Sequence, residues 1–137
     1  MDTKSEAGEP GHGQDALLKQ EGYDLMAAAF EVYNEQGHGF AEEVYQESLE
    51  IELGLRGIAF SSKGELEIRY KGIALRKKYV PDLVVFEGIV AELKAVKCLL
   101  PEHEAQLLNY LKATGFRVGY LLNFGCPNKL EWKRMVL

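Results

Sequence analysis

Asp82, Glu92 and Lys94 are charged side chains set into an otherwise apolar stretch, residues 79–97. Two β-branched runs flank the turn pair Glu87-Gly88, the pattern of a tight β-hairpin. Residues two apart on a strand share a face. Glu92 and Lys94 therefore project together, while Ala91, Leu93 and Ala95 face the other way. Pairing across the turn brings Asp82 beside them, so two carboxylates and one amine converge on a greasy hairpin.

Charge inside a central strand is costly unless it is paired, hydrogen-bonded or bound to a metal. One reading is an ion pair at a sheet edge. The other is a hard divalent cation. Asp82 and Glu92 offer carboxylate oxygens, a backbone carbonyl such as that of Leu93 can add a third, and water completes an octahedron, which is how Mg²⁺ binds beside substrate phosphate. A cation held there would polarise a phosphoryl oxygen and acidify a bound water, the chemistry of phosphodiester hydrolysis. Lys94 would steady the attacking water or the charge that develops on phosphorus.

The elements that must position these groups are legible as patterns. A helix is expected from about Asp15, a good N-cap, to Gly37, with Leu17, Leu18, Leu25, Ala28, Ala29, Val32 and Tyr33 along one stripe. A second runs from about Phe40 to Arg56 and ends at Gly57. Alternation at Glu65–Tyr70 marks a half-buried strand within residues 58–70, and Lys71-Gly72 a turn. Residues 73–86 then read as one long strand and 89–96 as a central one. Pro101-Glu102 opens a helix that stops at Gly115. Strands follow at 116–124 and, as an edge, 130–136. The fold class is α/β (α+β), a mixed central sheet flanked by helices.

With the elements in place, Pro81-Asp82 followed by Glu92-x-Lys94 resembles the signature of the PD-(D/E)xK nuclease superfamily. Helix, three strands, helix and strand resemble its restriction-endonuclease-like αβββαβ core. Gly39-Phe40-Ala41-Glu42-Glu43-Val44-Tyr45 looks like the GxxExxY motif of one of its families, and Gln106-Leu107-Leu108-Asn109-Tyr110 resembles the QxxxY helix of several branches. The likeness covers roughly residues 17–136. It implies that Asp82 and Glu92 are metal ligands with Glu42 a direct or water-bridged third, that Lys94 is the catalytic lysine, and that Gln106 reaches the site from the following helix. Tyr110, one turn on, would orient Gln106 or touch substrate, and Tyr45 would brace the Glu42 carboxylate. The implied cofactor is Mg²⁺, with Mn²⁺ as substitute.

The bulk properties limit the alternatives. The chain has 137 residues, 47% of them hydrophobic, enough for one core in a single domain over 15–137. Residues 1–14 are polar and glycine-rich and read as a disordered leader without a signal core. No apolar run is long enough for a membrane span, so a cytoplasmic location is expected. Cys98 and Cys126 lack zinc or disulfide spacing and read as reduced structural thiols. His38 and His103 read as surface histidines. Residues 1–58 carry 13 acidic and 3 basic side chains, residues 59–137 carry 8 and 13. The basic part holds the candidate site, and Arg76, Lys77, Lys78, Lys97 and Lys112 are its candidate phosphate contacts. The leading expectation is a metal-dependent nuclease acting on DNA rather than RNA, with a homodimer or a protein partner in view. The competing classes are a nuclease-fold assembly subunit without turnover and a hydrolase of smaller phosphate esters.

Overall fold

The structure is a computed structural model that describes residues 16–137. The expected leader and Asp15 lie outside the described residues. Helix α1 spans Lys19–Gln36 and α2 spans Glu42–Leu55. Five short strands follow: β1 Phe60–Ser62, β2 Leu66–Tyr70, β3 Ile73–Tyr79, β4 Leu83–Val85 and β5 Ile89–Lys94. Then come α3, Pro101–Thr114, β6, Val118–Asn123, and β7, Glu131–Val136. This is the mixed α+β architecture expected, and no helix among the described residues is long and apolar enough to cross a membrane.

The strands form two sheets. β1, β4, β5, β6 and β7 lie side by side in that order, with β5 and β6 parallel and the other neighbours antiparallel. β2 and β3 form a separate antiparallel ribbon. Two expected strands are thereby corrected. Residues 58–70 divide at Lys63, which has φ 58°, and Gly64, so β1 joins the main sheet and β2 the ribbon. Residues 73–86 divide at Val80-Pro81, where proline has no N–H to give a ladder. β3 stays in the ribbon, and β4 crosses into the main sheet carrying Asp82 at its start.

Alternation along β5 sorts the core onto two faces. Ile89, Ala91 and Leu93, with Leu83, Val85 and Leu122, pack against Leu25, Val32, Leu49 and Leu53 of α1 and α2. Val90 and Leu121 pack on the opposite face with Leu107 and Leu111 of α3 and with Tyr79. Glu92 and Lys94 belong to this second face, beyond the apolar patch that α3 covers.

Candidate active site

The hairpin register pairs Leu83 with Ala91 and Val85 with Ile89, closing over a three-residue loop in which Phe86 and Glu87 have φ 57° and 59°. That register sets Asp82 opposite Glu92. The Asp82 N–H donates to Glu92 Oε1 at 3.4 Å, and the Leu93 N–H donates to Asp82 Oδ2 at 2.8 Å. Asp82 is buried, 7% exposed, and further clasped through its backbone. Its carbonyl accepts from Gln46 Nε2 of α2 at 3.0 Å and from the Lys63 N–H at 3.2 Å.

Lys63 also supplies a side-chain partner. Its Nζ lies 2.5 Å from Asp82 Oδ1, and this bond raises the lysine pKa above its ordinary value. The sequence did not single out Lys63, because it lies 19 positions before the aspartate in a β1–β2 loop. Its backbone is left-handed, and its N–H donates to the Asp82 carbonyl.

Tyr79 is a second unforeseen member. It ends β3 and is buried, and its hydroxyl donates to Glu92 Oε2. The ring of Tyr110 stacks on it, centroids 3.9 Å apart and planes 5° from parallel. Burial, then the Glu92 charge, raises the Tyr79 pKa, so the phenol stays a donor. Burial first, with help from Asp82, pushes the Glu92 carboxyl up to about 7, against the opposing effect of the Tyr79 hydrogen bond. Tyr110 thus packs on the residue that holds Glu92, and with Gln106 it faces the same cavity.

A cavity of about 290 Å³ opens in front of these groups. Glu92, Lys94, Gln106, Tyr110, Lys77 and Lys78 all line it, and so does His103. His103 is half-buried rather than a free surface residue; its Nδ1 accepts the Leu100 N–H at 3.0 Å and caps α3. Lys112 is elsewhere, in a separate groove with Leu66, Glu67 and Arg69, because it lies on the last turn of α3. Arg76 and Lys97 are exposed.

Glu42 starts α2 and stands within electrostatic reach of Asp82, Lys94 and Lys63; desolvation and then the Asp82 charge raise its carboxyl. Tyr45 does not brace it. The Tyr45 side chain is fully buried, stacks on Phe124 at 4.8 Å, donates to the Gly37 carbonyl at 2.6 Å and accepts the Phe40 N–H at 3.2 Å. It closes the loop before α2, whose N-cap Ala41 has no capping side chain. Gly39, at φ 113°, makes the turn that a residue with a side chain disfavours. The Gly39, Glu42 and Tyr45 spacing therefore starts a helix at a fixed place, with Glu42 in its first turn beside Glu43.

The β5–α3 connection is fixed from β6 and β7. Asn123, fully buried, accepts from the Val96 and Gly125 N–H groups, both at 3.0 Å, and donates to Glu131, which also accepts the Leu99 N–H. Lys94 and α3 keep their relative setting through this knot.

Among the described residues no three His, Cys, Asp or Glu side chains are gathered as a closed metal shell. Asp82 and Glu92 meet directly, while Glu42 is linked to Asp82 through its charge. Two adjoining carboxylates, Asp82 buried and Glu92 half-buried with its pKa raised, with a third acid in range, suit a hard cation that takes one or two carboxylates and fills its shell with water.

Among family models, that of the PD-(D/E)XK nuclease superfamily matches residues 19–135. The crystal structure of SSO0001 is similar in fold, with TM-score 0.54 and 23% identity over 69% of this chain. The chain spans about half of that structure's length, 48%. An alkaline exonuclease, LHK-Exo from Laribacter hongkongensis, gives TM-score 0.44 and 13% identity over 83% of this chain and 81% of its own. No curated protein matches the sequence.

Proposed function

The chain belongs to the PD-(D/E)XK nuclease superfamily, and on that premise we propose that it hydrolyses phosphodiester bonds of DNA, in preference to RNA, using a divalent cation. The observation that carries this reading is the Asp82–Glu92 contact beside Lys94 at the mouth of a polar cavity. In this reading Asp82 and Glu92 hold Mg²⁺, or Mn²⁺ in its place, and Glu42 contributes directly or through water. When bound, such a cation supplies Lewis acidity at the scissile phosphate.

The protein's own groups divide the remaining work. The Leu93 N–H fixes the plane of the Asp82 carboxylate, and the Tyr79 phenol fixes Glu92, so neither acid need reorganise as substrate arrives. Lys94 shares the Glu92 face and presents an ammonium to the attacking water or to the charge developing on phosphorus. Gln106 offers an amide from α3, and Lys77 and Lys78 offer cations to the flanking phosphates.

The Gly39, Glu42 and Tyr45 pattern supports placing the chain in the GxxExxY branch. Residues 15–137 would act as one catalytic domain behind the 1–14 leader, in the cytoplasm, as a homodimer or beside a protein partner. The test is cleavage of end-labelled single- and double-stranded DNA and RNA with Mg²⁺, Mn²⁺ or EDTA, comparing the wild type with Lys94→Ala. Metal-dependent products that vanish in the variant are expected. Equal background in both proteins would overturn the reading in favour of a subunit without turnover.

A further inference from the structure

The β2–β3 ribbon is a two-stranded sheet that pairs with no strand of the main sheet, a form that is marginal in water without support. Its proximal half has that support. Leu66, Ile68 and Tyr79 pack into the layer beneath α3. Its distal half, whose turn residue Gly72 lines a groove with the end of α3, leaves apolar side chains uncovered. Tyr70 is 62% exposed, Ile73 69% and Leu75 40%, three neighbouring apolar side chains toward the turn end of the hairpin. The turn between them is rigid rather than loose: Lys71 and Gly72 have φ 50° and 81°, as in a type I′ hairpin, and Arg69 donates to the Gly72 carbonyl at 3.2 Å.

Charge indicates what this end meets. Residues 65–79 carry five basic side chains, Arg69, Lys71, Arg76, Lys77 and Lys78, against Glu65 and Glu67. Glu67 is already paired with Arg69 at 2.7 Å. The four remaining cations pair with no carboxylate among the described residues. Lys77, Lys78 and Tyr79 line the candidate active-site cavity, so the ribbon runs from the chemistry to its apolar tip without a break. Its seven-residue strand β3 extends about 20 Å, on the order of six base pairs of duplex.

We propose that this ribbon is a duplex-binding arm: its cations follow the phosphates flanking the scissile bond, and Tyr70 and Ile73 press into the groove against base edges. A two-stranded ribbon fits the major groove, and apolar side chains at a groove can wedge against base steps. The arm deepens the nuclease reading and rests on it. It assigns the substrate as double-stranded in the region beside the cut.

The experiment is fluorescence anisotropy in EDTA with a labelled 20-base-pair duplex and the matching single strand. Wild type is compared with Tyr70→Ser/Ile73→Ser and with Lys71→Ala/Arg76→Ala, all four positions being exposed. Thermal melting first establishes that each variant is folded. The tip variant should lose roughly tenfold in duplex affinity, the order of a lost groove contact, with less effect on the single strand. The cation variant should lower the salt slope by about two. Wild type that binds and cuts duplex, with a tip variant unchanged within twofold, would sink the arm and leave the nuclease reading standing. Equal losses for duplex and single strand would overturn the duplex assignment. A tip variant that changes only self-association in sedimentation would make the surface a protein contact instead. Wild type that neither binds nor cuts any nucleic acid would remove both readings together.

Discussion

Lys63 Nζ sits 2.5 Å from Asp82 Oδ1, on the carboxylate proposed to hold the cation. An ammonium at that distance would repel a divalent ion placed on the same carboxylate. The lysine is 54% exposed through its side chain and can swing away, whereas Asp82, held by the Leu93 N–H and two donors to its carbonyl, cannot follow. Lys63 would therefore compete with a cation at the proposed site.

That competition predicts the behaviour of Lys63→Met. Titration calorimetry should show Mn²⁺ bound tighter by roughly tenfold, the order expected when one unit charge leaves a site near the surface. The metal-free variant should lose about 1 kcal/mol, because Asp82 is left buried without its cation while the exposure of Lys63 limits the loss. Weaker Mn²⁺ binding would instead make Lys63 part of the binding machinery.

The raised Glu92 carboxyl predicts a pH dependence for the metal-free protein. In the unfolded chain this group titrates near the ordinary carboxyl value of 4.5, in the fold at about 7. The folded state therefore holds the extra proton between those values, and stability present below 4.5 is lost as pH rises through 7. Glu42, also raised, adds a contribution of the same sign. Urea midpoints in EDTA should fall from pH 5 to pH 8, and Glu92→Gln should flatten most of that slope. A midpoint that rises over the interval would contradict the burial argument.

Tyr45→Phe separates the loop-closing role from contact with the carboxylate. Losing the hydroxyl leaves the Gly37 carbonyl and the Phe40 N–H without their partner, at a cost of about 1–2 kcal/mol. Since the ring stays stacked on Phe124, the core is kept and only the start of α2 loosens. Cation affinity should fall several-fold through Glu42, while Glu43→Ala leaves it unchanged. Denaturation and calorimetry on both variants check this; unchanged stability in Tyr45→Phe would refute it.

What could be read from the sequence was whatever depends on local period. Asp82, Glu92 and Lys94 declared themselves because alternation fixes which side chains share a strand face, and the ends of α3 because Pro101 and Gly115 act locally. The division of residues 58–70 and 73–86 between two sheets was hidden, since local alternation does not mark where a chain leaves one sheet for another and only tertiary pairing sends β1 from β2 and β4 from β3. Lys63 and Tyr79 were hidden for a related reason. Each reaches the site from 19 and 13 positions away, and neither belongs to a spaced motif. Which of the basic residues face the cavity was not legible: Lys77 and Lys78 line it and Lys112 does not, and charge alone does not say which end of α3 faces it.

Two glycines give opposite predictions from the same substitution. A Cβ on Gly125 would stand 2.4 Å from the Val96 carbonyl oxygen and 2.5 Å from the Ala95 carbonyl carbon. Those are backbone atoms, and Asn123 Oδ1 ties both Val96 and Gly125 at 3.0 Å, so neither segment can retreat without breaking the knot. Gly125→Ala should cost more than about 2 kcal/mol, in the range of overpacking at a constrained site, and should displace the chain that leaves Lys94. Gly54 lies inside α2 with nothing within 4 Å of an added Cβ. There alanine removes backbone freedom from the unfolded chain and should stabilise by about 0.5–1 kcal/mol. Paired urea melts decide the matter. If Gly125→Ala melts with the wild type, the close approach of the chains after β5 and β6 is not what holds β5 in register with α3.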